Sequence, residues 1–255
     1  MTFFFDVRSL FARHLTKLVR NPTLLATNLA TPLLFLLLFS QLFQKLSSFP
    51  GVSGDYLTYL TPGIVIFIAL TGATLSGVSI VNDLNSGFLS KMLLTQVNRA
   101  AILAGRLLTD VVVVIAQTAI TLAVAGGMGV RVATGLPGVL FILGTAACFE
   151  LALCGIFLAI GMGTRKTETI SALGTAIFFP LLFISSAMLP SAFLPSWAQT
   201  FSSYNPVSSA SDVLRAATQG GLTWSGAISA YAIIGAIALV AFSVTLFQFR
   251  KVISY

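Results

Sequence analysis

Long apolar runs separated by short polar stretches dominate the chain. Before the first of them, Val7, Phe11, Leu15 and Leu18 recur at helical spacing, with Asp6, Ser9, Arg13, Lys17 and Arg20 on the opposite face. Residues 3–20 are therefore expected to form an amphipathic helix too polar to span a membrane. Its basic residues Arg8, Arg13, Lys17 and Arg20, set against a Phe/Leu face, suit a helix lying at a membrane surface. Asn21-Pro22 then reads as an N-cap followed by proline at the first helical position. Six apolar runs follow, at 22–43, 57–81, 102–128, 138–162, 169–189 and 224–247. Each is near the roughly 20 residues that a hydrocarbon core of about 30 Å requires. Pro32 and Pro180 fall inside two of them, where neighbouring helices can satisfy the freed backbone. Thr71, Gly72, Thr74, Ser76 and Gly77 give the second run the small-residue face of close helix–helix contact.

The interruptions carry the remaining information. Between the second and third runs, residues 82–106 hold Asp83, Lys91, Arg99 and Arg106, and 82–101 reads as a loop. Within it Phe88, Met92 and Leu93 can share a buried face while Lys91 turns to solvent. Periodicity leaves two readings open: a helix resting on lipid headgroups, or a knob seated in a soluble subunit. Asp110 lies one helical turn from Arg106, which allows a local ion pair. Residues 45–56 form a turn-rich loop, and Arg165 and Lys166 lie in a tight turn at 163–168. Residues 190–222 are too polar to cross. There Phe193, Trp197, Phe201 and Tyr204 line up at helical spacing before Asn205-Pro206, and Arg215 follows. Aromatic residues on so short a segment belong at headgroup level. The expectation is a re-entrant outer hairpin, with a loop lying flat on the helices as the alternative.

Composition narrows the class. Hydrophobic residues make up 56% of the 255 positions and charged residues 8%, against about 25% charge in a soluble domain. The fold class is thus an all-α polytopic membrane protein. The net charge of +7 marks loops at one membrane face rather than nucleic-acid binding. Eleven Lys/Arg fall on one side of the six-span scheme, and Lys45, Arg131 and Arg215 on the other. That asymmetry places both termini in the cytoplasm of a multi-pass plasma-membrane protein. The N-terminus does not read as a signal peptide, because Asp6 interrupts its basic region and the next apolar run is too long for a cleavable core. Cys148 and Cys154, six residues apart in one span, point in different directions and read as packing residues rather than a disulfide or metal pair.

Little here could carry covalent chemistry. Residues 161–167 glance toward a phosphate loop, but Arg165 stands where the lysine needs a preceding glycine, and no strand leads in. His14 is the only histidine and belongs to the surface helix, which leaves no histidine-based metal site or triad within one chain. Glu150 is the only acid so deep in any span. A central charge costs about 2.5–3.5 kcal/mol on insertion scales. Glu150 should face the bundle interior, a polar cavity or a partner. It is either a polar contact on a substrate path or gate, or a protonated acid hydrogen-bonded to Ser or Thr.

Taken together, the order of features resembles the membrane subunit of an ABC-2 type exporter, along nearly the whole chain. The features are the basic amphipathic first helix, six spans, the inner-loop pattern Asp83…Gly87…Leu93…Val97-x-Arg99…Arg106, and the late Asn205-Pro206…Leu214-Arg215 segment. The kin it resembles are short permeases of drug-resistance and nodulation-factor export. Where members often carry proline before the arginine of that loop, this chain has Gln96. The resemblance implies that residues 83–99 form a loop contacting an ATPase, with Asp83, Gly87, Phe88, Leu89, Lys91, Met92, Leu93 and Arg99 as its contact and turn residues. It implies two ATPase subunits that bind ATP and Mg, no cofactor in this chain, and a second permease copy in a homodimer. The cargo would be amphipathic, drug-like or lipid-linked, with Glu150, Phe179 and Phe183 on its path or gate. Residues 190–218 would be the outer re-entrant helices. Two other classes compete: a proton-coupled secondary transporter using Glu150, and a non-transporting membrane scaffold.

Overall fold

The computed structural model describes residues 2–43, 55–94 and 99–253. In chain order the helices are α1 (Thr2–Val19), α2 (Pro22–Leu42), α3 (Tyr56–Asn85), α4 (Phe88–Leu93), α5 (Arg99–Gly127), α6 (Gly135–Thr164), α7 (Thr167–Phe183), α8 (Ser196–Tyr204), α9 (Pro206–Gln219) and α10 (Trp224–Ile253). A 3-10 turn, Ser191–Phe193, precedes α8. No strand occurs among the described residues. Among the described residues, four helices are long and apolar enough to cross a membrane: α3, α5, α6 and α10. α2 and α7 contribute shorter apolar stretches, Ala26–Leu42 and Thr167–Phe183.

α3 is the axis of the fold. Leu60, Ile64, Val65, Ile66, Ile68 and Ala69 are all fully buried, so this helix has no solvent or lipid face along its first half. An all-round apolar helix is the sequence type that sits inside a bundle. Its glycines set how closely neighbours approach. A Cβ on Gly77 would lie 3.0 Å from the Phe157 carbonyl oxygen of α6, and one on Gly161 would lie 3.1 Å from the Gly77 carbonyl oxygen. Backbones meet here without side chains between them, the geometry small residues permit in lipid-embedded bundles. Gly174 of α7 is covered by the Thr74 side chain of α3.

Two boundaries differ from the sequence reading. The polar stretch 82–106 is mostly helix, because α3 runs through Asn85 and α5 begins at Arg99. Asp83 and Arg106 pair with each other inside the fold, so their charges do not end the helices that carry them. Gln96 and Val97, like most of the 45–56 loop with Lys45, lie outside the described residues.

The fifth run ends at Phe183 rather than 189. Asn205 Nδ2 donates to the carbonyls of Leu181 (2.7 Å) and Ile184 (3.0 Å), satisfying the end of α7. The non-helical Ser185–Met188 stretch is buried. Tyr59 donates to the Ser186 carbonyl and Tyr56 to the Met188 carbonyl, each at 2.8 Å. Irregular backbone persists inside such a protein only when its polar groups are paired in this way.

The same Asn205 caps α9, accepting from Val207 N at 2.9 Å with Pro206 at the first position. α9 is packed inward through Val207, Ala210, Leu214 and Ala217. α8 turns Trp197, Phe201 and Tyr204 outward. Phe193 is exposed too, but it sits in the 3-10 turn ahead of Pro195, so the aromatic stripe is not one continuous helix. Asn85 Nδ2 reaches the Arg165 carbonyl at 3.4 Å, which sets the foot of α3 beside the α6–α7 turn. At the opposite pole the Ala133 amide and the Thr134 hydroxyl bond to the end of α9.

Candidate functional site

At the α4 pole four helices converge. Gly87, at φ +69°, takes the left-handed conformation that lets the chain turn from α3 into α4 within two residues. Within α4, Leu89 is buried and Met92 is half-buried against the core, while Lys91 is exposed. The guanidinium of Arg13 lies 3.3 Å from the Phe88 ring centroid, a cation–π contact that ties α1 to α4. Leu94, directly after the helix, is 89% exposed. Leu89, which the amphipathic run did not single out, joins the half-buried Met92 on the inward face. The side chains of Leu93 and Arg99 lie outside the described residues.

α1 is docked on α5 rather than held by lipid alone. Leu10 covers Gly105, where a Cβ would lie 2.8 Å from the Leu10 Cβ. Leu10 and His14 are the buried members of α1, and Arg8, Arg13 and Arg20 are exposed. His14 is thus a packed residue, not a surface one. Burial, reinforced by the nearby Arg106 cation, lowers its pKa to about 4, so it is neutral at ordinary pH.

Above α4 a chain of charges runs into the fold. Lys17 of α1 reaches Asp83 of α3 at 3.5 Å, and Asp83 reaches Arg106 of α5 at 3.4 Å. Arg106 also donates to the Ser76 carbonyl (2.9 Å) and hydroxyl (3.2 Å), and lies 3.9 Å from Asp110. Ser76 in turn donates to Asp110 at 2.6 Å. Arg106 is 5% exposed and Asp83 likewise. The one-turn Arg106–Asp110 pairing expected from spacing is present, but inside a three-helix network. Ser76 was legible only as a small residue, since nothing in its spacing says that its hydroxyl bridges Arg106 and Asp110.

This network forms one wall of a cavity of about 340 Å³ that extends from His14, Lys17 and Asn21 to Gln117 and Glu150. From Asn82 to Thr71 it follows α3 for roughly 16 Å, at 1.5 Å per residue. Glu150, midway along α6, is 2% exposed, and its Oε2 has no hydrogen-bond partner. Its carboxyl lies over Gly72, where any Cβ would collide with it. A second, apolar groove of about 310 Å³ shares Asn28, Thr71 and Leu75 with the cavity and continues between α2, α3 and α7. Phe35, Phe67, Phe178 and Phe179 line it. Phe67 meets Phe178 edge-on at 5.1 Å, and Phe179 stacks on Phe183 at 5.9 Å.

The opposite pole has its own polar cluster. Arg215 pairs with Asp212 at 2.5 Å, donates to the Ser186 carbonyl at 2.7 Å and stacks 3.8 Å over the Tyr59 ring. Ser186 donates to Asp212 at 2.7 Å. Tyr59 and Ser186 gave no chemical signal in the sequence, because their partners lie far away along the chain, and Asn205 was legible only as a helix break. Among the described residues no group of His, Cys, Asp and Glu is arranged to hold a metal ion. Cys154 is buried with its sulfur 4.0 Å from Asp110, whereas Cys148 is exposed.

Comparison with known proteins places this geometry. The chain is 28% identical over 189 residues to the daunorubicin resistance ABC transporter permease protein DrrB1 of Streptomyces coeruleorubidus, covering 74% of this chain and 66% of that protein. It is 30% identical over 217 residues to the putative transport permease ycf38 of Cyanophora paradoxa, covering 81% and 73%. It is 24% identical over 213 residues to a probable doxorubicin resistance ABC transporter permease, DrrC, of Mycobacterium tuberculosis, covering 82% and 75%. Residues 6–218 match the family described as ABC-2 type transporter. That span takes in α2 to α8 and most of α1 and α9, and with them both poles and the cavity between them: this polytopic permease belongs to the ABC-2 type transporter family.

Proposed function

We propose that the chain is the membrane-spanning subunit of an ATP-driven exporter, coupled through α4 to a separate ATPase that binds ATP and Mg. The observation that carries this reading is the construction of α4. It is fastened to the fold by Leu89 and by Arg13 over Phe88, yet it offers Lys91 and Leu94 outward. A push on that foot passes through Gly87 to α3 and through the Lys17–Asp83–Arg106 chain to α1 and α5. α3 then shifts against α6 at the Gly77–Gly161 contact, where backbones meet closely, and against α7 where Thr74 rests on Gly174. ATP binding in the partner thereby biases two packings of one bundle.

In this scheme α2 and α7 complete six spans with α3, α5, α6 and α10, both termini are cytoplasmic, and 190–222 is the outer re-entrant hairpin. Two permease copies, as a homodimer, face two ATPase subunits. The cargo is amphipathic, in keeping with relatives whose names speak of daunorubicin and doxorubicin resistance. One observation favours the proton-driven alternative, the unpartnered Glu150 oxygen in the interior. Reconstitution of the chain with its ATPase in proteoliposomes separates the two. Export requires nucleotide hydrolysis and survives collapse of the proton gradient. Full transport without the ATPase would overturn the reading.

A further inference from the structure

We propose that the groove between α1, α2 and α5 holds one anionic phospholipid, with its phosphate on Arg20 and an acyl chain along α5. The groove, about 250 Å³, lies back to back with the polar cavity and shares Leu18, Val113 and Gln117 with it. Its occupant is therefore part of the cavity's side wall, not cargo within it. α1 supplies Leu15 and Val19, and α2 supplies Leu29. The α5 side is a stripe: Leu108, Val112, Ala116 and Ile120 recur at one-turn spacing, and all four are exposed. The last three line the groove, so it opens sideways from the bundle. α5 is long and apolar enough to cross a membrane, and such a helix turns its exposed side to hydrocarbon. From Val112 to Ile120 the groove follows α5 for about 12 Å, at 1.5 Å per residue. That is close to the roughly 15 Å of one leaflet, half of a core about 30 Å thick.

Charge selects the headgroup. α1 carries Arg8 and Arg13 as well as Lys17, with Arg20 just after it, against one acid, Asp6. Lys17 pairs with Asp83, and Arg13 lies over the Phe88 ring. Arg20 is exposed and forms no ion pair among the described residues. It directly follows Val19, which lines the groove and is itself 62% exposed. An arginine side chain is long enough to reach the groove's mouth from there. A zwitterionic lipid brings its own ammonium toward that guanidinium, whereas an anionic lipid does not. Basic residues at a membrane surface attract anionic lipid for this reason, and an arginine fork can hold two phosphate oxygens at once. A second copy of the chain fits the charge poorly, with 14 Lys and Arg against 7 Asp and Glu.

The test uses the full chain in lipid vesicles, with both native tryptophans replaced (Trp197→Phe, Trp224→Phe) and one tryptophan reporter introduced. Ala119→Trp sets the reporter on the exposed side of α5 beside Ile120, without filling the groove. Leu239→Trp sets it on the exposed side of α10 as a control. Each reporter is quenched by phosphatidylglycerol brominated on its acyl chains in phosphatidylcholine, then by brominated phosphatidylcholine in phosphatidylglycerol, at equal mole fractions. Beside the groove phosphatidylglycerol should quench as though bound about fivefold more tightly, the preference one surface cation gives, and on α10 the two lipids should agree within about twofold. Arg20→Gln should bring the groove ratio down to that of α10, and Arg20→Lys should keep most of it. Neither should move the α10 ratio, which reports that the bundle is intact. Equal quenching by the two lipids beside the groove, a preference that survives Arg20→Gln, or the same preference on α10 overturns the proposal. Quenching by neither lipid beside the groove overturns it as well, because another protein surface then covers it. No nucleotide or ATPase takes part, so any of these failures leaves the export reading standing.

Discussion

Arg106 is the residue on which the interior electrostatics turn. It neutralises the buried Asp83 and faces the partly buried Asp110. Removing one partner from a buried ion pair costs about 3–5 kcal/mol, because it strands a charge. Arg106→Met should therefore lower the thermal unfolding midpoint in detergent far more than Ser76→Ala, which removes one hydroxyl bridge worth about 1 kcal/mol. Equal midpoints would show that the network contributes nothing to stability. His14 makes a prediction of opposite character. Its folded pKa of about 4 lies below the ordinary value of 6.5, so the unfolded chain takes up the proton first. The stability associated with neutral His14 is intact above pH 6.5 and is lost as the pH falls from 6.5 toward 4. In His14→Gln the same acid titration, followed by tryptophan fluorescence, should show a shallower loss of stability across that window. Asp83 was visible in the sequence as a charge but read as a loop residue, and Arg106 was paired only with Asp110, one turn away. Helical periodicity cannot tell a charge facing water from one facing its partner across an interhelical gap.

Among the elements, α4 separates what the fold uses from what it presents. Phe88 and Leu89 hold it in place, whereas Lys91 and Leu94 are exposed. Leu94→Asp combined with Lys91→Glu should leave the unfolding free energy within about 0.5 kcal/mol of the parent, as exposed substitutions do. Nucleotide-driven transport in the reconstituted complex should fall at least tenfold. A double variant that transports normally would remove α4 as the coupling element. The existence of α4 was legible from its amphipathic run. Its buried face was not, because the inward direction of Leu89 depends on how α4 folds back against α3. α7 teaches the same lesson from the other side. Its apolar run continues to Leu189, yet the helix stops at Phe183. Asn205, 21 residues beyond Ile184, supplies the donors that end it.

At the scale of the molecule, two poles face opposite directions. The α4 pole carries Lys17, Lys91, Arg165 and Lys166; the other carries Arg131, Arg215 and the outward aromatic residues of α8. If the first pole is cytoplasmic, a membrane-impermeant maleimide should label Ser203→Cys in intact cells. Lys166→Cys should react only after the cells are opened, both in a background lacking Cys148 and Cys154. The reverse pattern would invert the proposed topology and place α4 beyond the reach of any cytoplasmic ATPase.

The sequence alone determined the class: an all-helical, lipid-embedded chain with a basic amphipathic first helix, an amphipathic run after the second apolar segment and one deeply placed acid. These follow from local properties, namely run length, helical period and the cost of charge in hydrocarbon, which need no knowledge of neighbours. Only the tertiary structure decided which polar groups meet. Lys17, Asp83, Arg106, Ser76 and Asp110 become one network because α1, α3 and α5 cross there, and Glu150 stays unpaired because Gly72 makes room for it without offering a donor. Such pairings depend on the relative rotation and depth of separate helices, quantities to which no local pattern along the chain is sensitive.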